Sequence, residues 1–288
     1  MLRPYPATVN SVLAKTYWAG VVALVLISCS SEPVSGNPAA GSQPASAAKT
    51  LAFPTAIPTL VASATYYVPP PTATEMPREA TTVVASDGVE LAAIFYPPAG
   101  DGAPAPGVLL FHMWGRTKED WRYFARTLQA AGYAALAVDL RGHGQSGGGT
   151  PAMLAEDAQA AWEYLAADAR VDPTRMAIVG ASGGANLALE LAARFPQVKT
   201  VVLLSPGLPA SAEAAMADYG SRPLLIATSM DDSTADASRT LDGLAQGEHR
   251  LELYAGAAHG SDIFGVYPEL TDLVVAWLDE YVRESPGR

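Results

Sequence analysis

A serine stands at the centre of the stretch whose residue types are best suited to chemistry. An apolar run from Met176 to Val179 is typical of a buried strand, and the GASGG turn at 180–184 that follows it has Ser182 at its apex. An alanine- and leucine-rich segment then predicts a helix. A turn this sharp strains the serine backbone and exposes its hydroxyl, while free N–H groups at the helix start lie where an oxyanion would form. We therefore interpret Ser182 as a nucleophile.

A second segment, GQSGG at 144–148, has the same glycine spacing around Ser146 but a different context. The residues RGHG separate it from the preceding apolar run, and Gly-Thr-Pro follows it where a helix would be needed. We therefore predict that Ser146 is a loop serine.

Strand-like and helix-like segments alternate along the chain around Ser182. The predicted strands, of which the first two form a hairpin with an Asp-Gly turn, are Thr81–Ala85, Val89–Tyr96, Gly107–Phe111, Tyr133–Leu140, Met176–Val179, Val198–Ser205, Pro223–Thr228 and Arg250–Tyr254. The predicted helices are one from Thr117 to Gly132, then Pro151–Asp168, the helix after Ser182, Thr234–Leu244, and a closing helix with an apolar face from Leu270 to Tyr281. This alternation predicts an α/β fold with a mostly parallel sheet flanked by helices. The segment 206–222 has room for one short helix and for no large lid domain.

The segment from Thr81 to Arg283 resembles the α/β-hydrolase fold. The residues that carry the resemblance are FHMWG at 111–115, DLRGHGQS at 139–146 and the turn at Ser182. The chain is most similar to small serine esterases and to dienelactone-hydrolase-like proteins, although the latter have cysteine where this chain has Ser182. The resemblance implies hydrolysis of a small-molecule ester or related acyl group through an acyl-serine. A peptidase or acyltransferase on the same site, or a catalytically idle envelope binding module, is the alternative.

A serine hydroxyl needs a base to take its proton, and that base needs a carboxylate to orient it. In this fold the acid follows the serine and the histidine follows the acid. His259, in the loop GAAHG after the last predicted strand, occupies the position of the base. Asp231 and Asp232 both follow an earlier predicted strand, with Asp236 close behind. The family pattern, in which the acid comes three residues after a turn residue, here Ser229, favours Asp232 and leaves Asp231 as the alternative. The remaining histidines, which fit the role less well, are His112, His143 and His249.

The resemblance also implies two backbone N–H donors for an oxyanion. One is Gly183, next to the nucleophile. The segment HMWG at 112–115 matches the family pattern His-Gly-x-Gly with methionine in place of the first glycine, which makes Trp114 the second donor. An alignment shifted by one residue makes Met113 the donor instead. Ile263 and Phe264, just after the histidine, are expected to add an apolar wall.

The composition of the chain limits the kinds of partner and cofactor that it is expected to bind. The chain has 288 residues, is 49% hydrophobic and carries a formal net charge of −11, and its arginines are scattered, which argues against a nucleic-acid partner. No histidine, cysteine or carboxylate spacing indicates a metal site. The glycines from Gly142 to Gly149 lack the P-loop lysine and the dinucleotide-binding spacing, so we expect no cofactor.

The N-terminus has the features of a targeting segment. Arg3 and Lys15 precede an 11-residue apolar run, Tyr17–Ile27, that is too short to span a bilayer as a helix. The run ends in Leu-Ile-Ser followed by Cys29, the only cysteine, and resembles a bacterial lipoprotein signal. An ordinary secretory signal, or a chance cysteine after an apolar run, is the alternative.

The lipoprotein resemblance implies cleavage before Cys29 and a lipid on its sulfur. We therefore predict a signal peptide at 1–28, the lipid-attachment cysteine with a disordered Pro/Ala/Ser/Thr-rich linker at 29–78, and a folded domain at 79–288. The expected location is the extracytoplasmic side of a bacterial membrane, with a lipid anchor.

Overall fold

The computed structural model describes residues 76–100, 102–149 and 151–283. The predicted signal peptide, Cys29 and nearly all of the predicted linker lie outside these residues. In the part that is described, no helix combines the length and the apolar character needed to cross a bilayer. The first strand begins at Glu79.

Eight strands of the described chain form one sheet in the order β1-β2-β4-β3-β5-β6-β7-β8. They are β1 (Glu79–Val84), β2 (Glu90–Tyr96), β3 (Ala105–Phe111), β4 (Ala134–Val138), β5 (Val171–Ala181), β6 (Val201–Leu204), β7 (Leu224–Ser229) and β8 (His249–Tyr254). The pairs β1–β2 and β2–β4 are antiparallel, and all the other pairs are parallel. The predicted α/β class with a mostly parallel sheet is confirmed.

Helices connect the parallel strands. They are α1 (Arg122–Ala130), α2 (Leu154–Ala167), α3 (Gly183–Arg194), α4 (Ala210–Tyr219), α5 (Ala235–Leu244), α6 (Ile263–Val266) and α7 (Glu269–Tyr281), with short 3₁₀ turns at Lys118–Trp121, Pro151–Met153 and Gly260–Asp262. The segment between β6 and β7 holds α4 and no inserted domain, as predicted.

The core has two layers, one on each face of the sheet, and β3 contributes to both. Leu109 and Phe111 belong to the layer packed by α2 and α3, whereas Val108 and Leu110 belong to the layer packed by α1 and α7. This alternation follows from the two-residue period of a strand, and burial on both faces explains why β3 is a continuous apolar run. Because β3 and β5 to β8 run parallel, their carboxyl ends meet at one edge of the sheet, where ligands of such folds bind.

Candidate active site

Ser182 occupies a strained turn between β5 and α3. Its backbone has φ 51° and ψ −117°, a conformation that residues other than glycine rarely adopt. A Cβ at Gly180 would overlap the backbone of Gly184, and a Cβ at Gly184 would overlap the carbonyl of Phe111. Only glycine therefore allows α3 to begin so close to the central strands. The N–H of Ser182 donates to the carbonyl of Leu204 at 2.8 Å, which fixes the turn against β6.

His259 and Asp232, the predicted base and acid, lie within hydrogen-bond distance of each other at the same edge of the sheet. His259 Nδ1 lies 2.8 Å from Asp232 Oδ2 and 3.1 Å from Oδ1. A carboxylate only accepts hydrogen bonds, so Nδ1 carries the proton and Nε2 is left with the lone pair of a base. The alternative acid, Asp231, is exposed, and Asp236 pairs with Arg239 at 2.9 Å on α5. The structure therefore places Asp232, and neither of the other two carboxylates, against His259.

The environment of Asp232 keeps it ionised. Burial by itself raises the pKa of this carboxyl, but hydrogen bonds from the Ser205 hydroxyl, the Thr234 N–H and His259 lower the pKa by more, so the pKa lies below its usual value. The side chain of Asp232 is 3% exposed, against 35% for that of His259. An ionised acid is thus shielded from water beneath a histidine that reaches the surface.

The loop that carries His259 packs directly against the turn of Ser182. Gly260 has φ 57°, and a Cβ there would lie 2.9 Å from Met113 Sδ and 3.4 Å from the Cβ of Ala181. Glycine is therefore required at this position by both its backbone and its neighbours. The contact with Ala181 brings the residue after the histidine alongside the residue before the serine.

His112 orients the loop that follows β3. Its ring is fully buried, and Nε2 accepts the N–H of Leu140 at 2.9 Å. The proton is therefore on Nδ1, which donates to the carbonyl of Met113 at 2.8 Å. Burial lowers the pKa of His112, which keeps the ring neutral. In a trans peptide the N–H points opposite to the preceding C=O, so the N–H of Trp114 points away from the buried His112.

The two predicted oxyanion donors are neighbours in space. The indole of Trp114 lies against Gly183, where a Cβ would overlap it. Among the described residues, neither the Trp114 nor the Gly183 N–H donates a loop or cap hydrogen bond to the backbone. The N–H of Met113, the alternative donor, donates none either. The orientation of the Met113 carbonyl toward His112 favours Trp114.

Comparisons with known proteins agree with this architecture. A sequence profile of the family described as alpha/beta hydrolase fold matches residues 106–221. A solved dienelactone hydrolase from Anabaena variabilis superimposes with a TM-score of 0.60 at 24% identity, over 72% of this chain and 99% of that one. A Pyrococcus furiosus esterase gives a TM-score of 0.60 at 18% identity, over 72% of this chain and 92% of that one. The chain has the α/β-hydrolase fold.

Sequence relatives of this chain match it over less of its length. An uncharacterised protein of Mycobacterium tuberculosis is 34% identical over 125 residues, which are 43% of this chain and 44% of that relative. The chain therefore spans less than half the length of this curated relative.

Ser146 is a structural serine of the α/β-hydrolase domain. It lies in the loop after β4 with no helix behind it, as predicted. Its hydroxyl accepts the N–H of Ala92 at 2.9 Å and donates to the carbonyl of Asp139 at 2.6 Å. The Asp139 carboxylate in turn binds Lys118 Nζ at 2.6 Å, a buried ion pair that the sequence did not reveal. These contacts give the DLRGHGQS segment a role in holding its own loop in place.

One expectation about the side chains that line the site differs from the structure. Ile263 is fully buried in the core, so the prediction that it forms a wall of the site is wrong, and Phe264 stacks on Phe124 with ring centroids 4.8 Å apart. Met113 is 5% exposed, whereas Trp114 is 51% exposed. Of the side chains expected near the site, that of Trp114 is the one most open to a substrate.

Sequence reasoning missed three hydroxyl groups at the ends of β6 and β7. Ser205, Thr228 and Ser229 have no exposed surface and lie beneath the pair of Asp232 and His259. Serine and threonine at strand ends carry no specific signal in a sequence. No group of three or more histidine, cysteine or acidic residues in the described ranges is arranged to hold a metal ion.

Proposed function

We propose that the protein is a secreted, membrane-tethered serine hydrolase that cleaves carboxylic esters of small molecules. The observation that carries the proposal is the strained Ser182 turn, packed against a loop in which His259 Nδ1 is held 2.8 Å from Asp232. Strained backbone and a shielded, ionised acid behind a histidine are features of sites built for nucleophilic catalysis. The hydrolase names of the two structural neighbours support the same reaction class.

The first half of the reaction forms an acyl-serine. The Oγ of Ser182 attacks the carbonyl carbon of the ester, and its proton passes to Nε2 of His259. The carbonyl oxygen becomes an oxyanion that accepts hydrogen bonds from the N–H groups of Gly183 and Trp114. The bond between the carbonyl carbon and the alkoxy oxygen then breaks. His259 gives its proton to that oxygen, and the alcohol leaves.

The second half returns the free enzyme. Water attacks the acyl carbon while His259 takes one of its protons, and a second oxyanion forms in the same place. The bond to Ser182 Oγ breaks, and His259 returns the proton to that oxygen. The products are one carboxylic acid and the original serine. Asp232 stays ionised throughout, because it stabilises the imidazolium without accepting its proton.

The surroundings of the site favour a small, accessible substrate. The connection between β6 and β7 contains α4 alone, so no inserted domain covers this edge of the described structure. The exposed indole of Trp114 stacks on His143 with ring centroids 5.2 Å apart and 26° between the planes. This arrangement gives a flat apolar surface next to the proposed oxyanion donors.

A fluorophosphonate probe tests the proposed mechanism, because it reacts with serines that a neighbouring base has activated. We expect the purified full-length protein to acquire one adduct, which peptide mass mapping assigns to Ser182. The Ser182→Ala variant should remain unlabelled, and the matched Ser146→Ala variant should label as the wild type does. A folded wild-type protein that stays unlabelled would favour a binding module without catalysis, and an adduct on Ser146 would refute the assignment of the nucleophile.

A substrate panel then separates ester hydrolysis from the other reactions that a serine, acid and histidine can perform. We expect short-chain carboxylic esters to be hydrolysed with a higher kcat/KM than peptides or lactones. Faster cleavage of peptides, or acyl transfer to an added alcohol in preference to water, would replace the esterase proposal by a peptidase or acyltransferase.

The membrane tether rests on the sequence of the N-terminus, with Cys29 as the proposed attachment site. Metabolic labelling of the full-length protein with an alkyne fatty acid in a bacterial host tests it. We expect label on the wild type and none on Cys29→Ser. Equal labelling of both proteins, or none on the wild type, would refute the lipid anchor.

A further inference from the structure

Two buried serine hydroxyls contact the residues on either side of His259. Ser229 Oγ donates to the carbonyl of Ala258 at 2.7 Å, and Ser205 Oγ accepts the N–H of Gly260 at 2.9 Å. Both serines have no exposed surface. They lie at the carboxyl ends of neighbouring strands, since Ser229 ends β7 and Ser205 directly follows β6.

We propose that Ser205 and Ser229 form a serine clamp that positions His259 for catalysis. One hydroxyl fixes the peptide before the histidine and the other fixes the peptide after it, so the backbone of the base is tied to the rigid sheet at two points. Both act as positioning residues, because their contacts are to the base loop and not to reacting atoms. The inference rests on the proposed function, in which His259 is the base.

Ser205 also links the base loop to the acid. Its oxygen accepts from Gly260, and the nearby hydroxyl lowers the pKa of the Asp232 carboxyl. The hydroxyl oxygen of Thr228 lies 3.5 Å from both Ser205 Oγ and Asp232 Oδ2, so Thr228 belongs to the same buried cluster of hydroxyl side chains. Ser205 thus contacts the base loop directly and reaches the acid through the Thr228 hydroxyl.

The backbone of Ser205 gives an independent reason to assign it a role. Ser205 has φ 48° and Ser182 has φ 51°, and within the described ranges these are the two residues other than glycine with positive φ. Glycine would adopt such a conformation without strain. A serine kept in this conformation therefore indicates that its hydroxyl is needed, and the hydrogen bond from Gly260 indicates that it is needed to hold the base loop.

Two substitutions at position 205 separate the effect of losing the hydroxyl from the effect of relieving the backbone strain. Ser205→Ala and Ser205→Gly both remove the hydroxyl, but only the glycine variant relieves the positive φ. We expect both to slow fluorophosphonate labelling of Ser182 and to lower kcat/KM by the same amount, on the order of 10–100-fold, because a displaced base is poorly aligned. The thermal midpoint of Ser205→Gly should nevertheless exceed that of Ser205→Ala. Ser229→Ala should reproduce the loss of activity.

Thr200 provides a matched control at the opposite end of β6. Its hydroxyl is also fully buried, donates to the carbonyl of Pro223 at 2.8 Å and accepts the indole N–H of Trp277 at 2.8 Å. Thr200→Val removes a comparable pair of hydrogen bonds far from the base loop. This variant should lose thermal stability and keep the labelling rate of the wild type.

A second readout does not depend on activity. The proton on Nδ1 of His259, held by Asp232, should give a downfield proton resonance in the wild type and in Thr200→Val. In the two Ser205 variants and in Ser229→Ala it should broaden or disappear. Serine variants that keep both this resonance and the wild-type labelling rate would overturn the clamp and leave the proposed function standing. A wild type that does not label would overturn the proposed function, and the resonance alone would then decide the clamp.

Discussion

Replacing Asp232 by asparagine tests the proposed roles of acid and base most directly, because the substitution keeps the shape of the side chain. Oδ1 of Asp232 accepts the N–H of Thr234 at 3.1 Å, and Oδ2 lies 2.8 Å from His259 Nδ1. A carboxylate satisfies both donors with its two oxygens, whereas an amide offers one acceptor oxygen and, in place of the other, an NH₂ group that only donates. The amide oxygen should face Thr234, because a backbone N–H cannot reverse its polarity. The amide NH₂ then faces His259 Nδ1.

That orientation forces the histidine into the wrong tautomer. Nδ1 lies 2.8 Å from the position of the amide NH₂ and 3.1 Å from that of the amide oxygen, so it accepts from the nearer NH₂. The proton then moves to Nε2, which can no longer take the proton of Ser182. We expect kcat/KM for a p-nitrophenyl ester to fall by about 10⁴-fold in Asp232→Asn, or about 5 kcal/mol of transition-state stabilisation. Fluorophosphonate labelling should slow in parallel, since it needs the same base.

Asp231→Asn is the matched control for Asp232→Asn. It makes the same chemical change one residue earlier, at an exposed side chain, and should leave kcat/KM within about twofold. Circular dichroism and the urea midpoint check that both variants are folded. A folded Asp232→Asn that keeps more than a tenth of the activity, or an equal loss in Asp231→Asn, would refute this account of the acid.

Three further substitutions probe the neighbourhood of the site. Trp114→Ala keeps the backbone N–H and removes the exposed indole, so KM for aryl esters should rise more than KM for methyl esters, with kcat within about tenfold; a loss confined to kcat would contradict this. Ser146→Ala should lower the free energy of unfolding in urea by about 1–3 kcal/mol through its two lost hydrogen bonds, without changing kcat/KM. Burial lowers the pKa of His112 in the folded chain. Below about pH 6.5 the imidazole therefore binds a proton in the unfolded chain but not in the folded one, and the free energy of unfolding of the wild type should fall as the pH decreases from there. Urea midpoints of His112→Asn should lack that decrease.

The turn at Ser182 was predictable because its requirements are local. An apolar strand, a helix and the glycines at 180 and 184 are separated by a few residues, and steric overlap alone explains both glycines. The first half of β5 was missed for the opposite reason. Residues 172–175 are polar apart from Pro173, and of these only Asp172 pairs with β3, because the register is interrupted between Pro106 and Gly107. Pairing partners of this kind leave no periodic pattern in the sequence.

The spacing of residues along the sequence does not determine which of two adjacent aspartates is the acid. Asp231 and Asp232 are adjacent, and either could follow β7 into the site. The turn decides between them, because the N–H of Asp232 bonds to the carbonyl of Ser229 at 3.1 Å while that of Asp231 bonds to Gly256 at 2.9 Å. These bonds direct one carboxylate toward the histidine and leave the other exposed. The serine clamp could not be predicted from the sequence either, since Ser205 and Gly260 lie 55 positions apart.

Strain in this domain is concentrated where the proposed chemistry takes place. Ser182 and Ser205 follow neighbouring parallel strands and are joined through the backbone, since the N–H of Ser182 donates to Leu204 and that of Ser205 donates to Ala227, each at 2.8 Å. Each positive φ costs about 1–3 kcal/mol, a substantial part of the ~5–15 kcal/mol that stabilises a typical domain. Such strain persists only where the surroundings over-determine it, and the buried second half of β5 together with the fully buried strands β6 and β7 does so. One strained serine would present the nucleophile and the other would hold the base, so at either position glycine should give a more stable fold than alanine does, while both substitutions lower the activity.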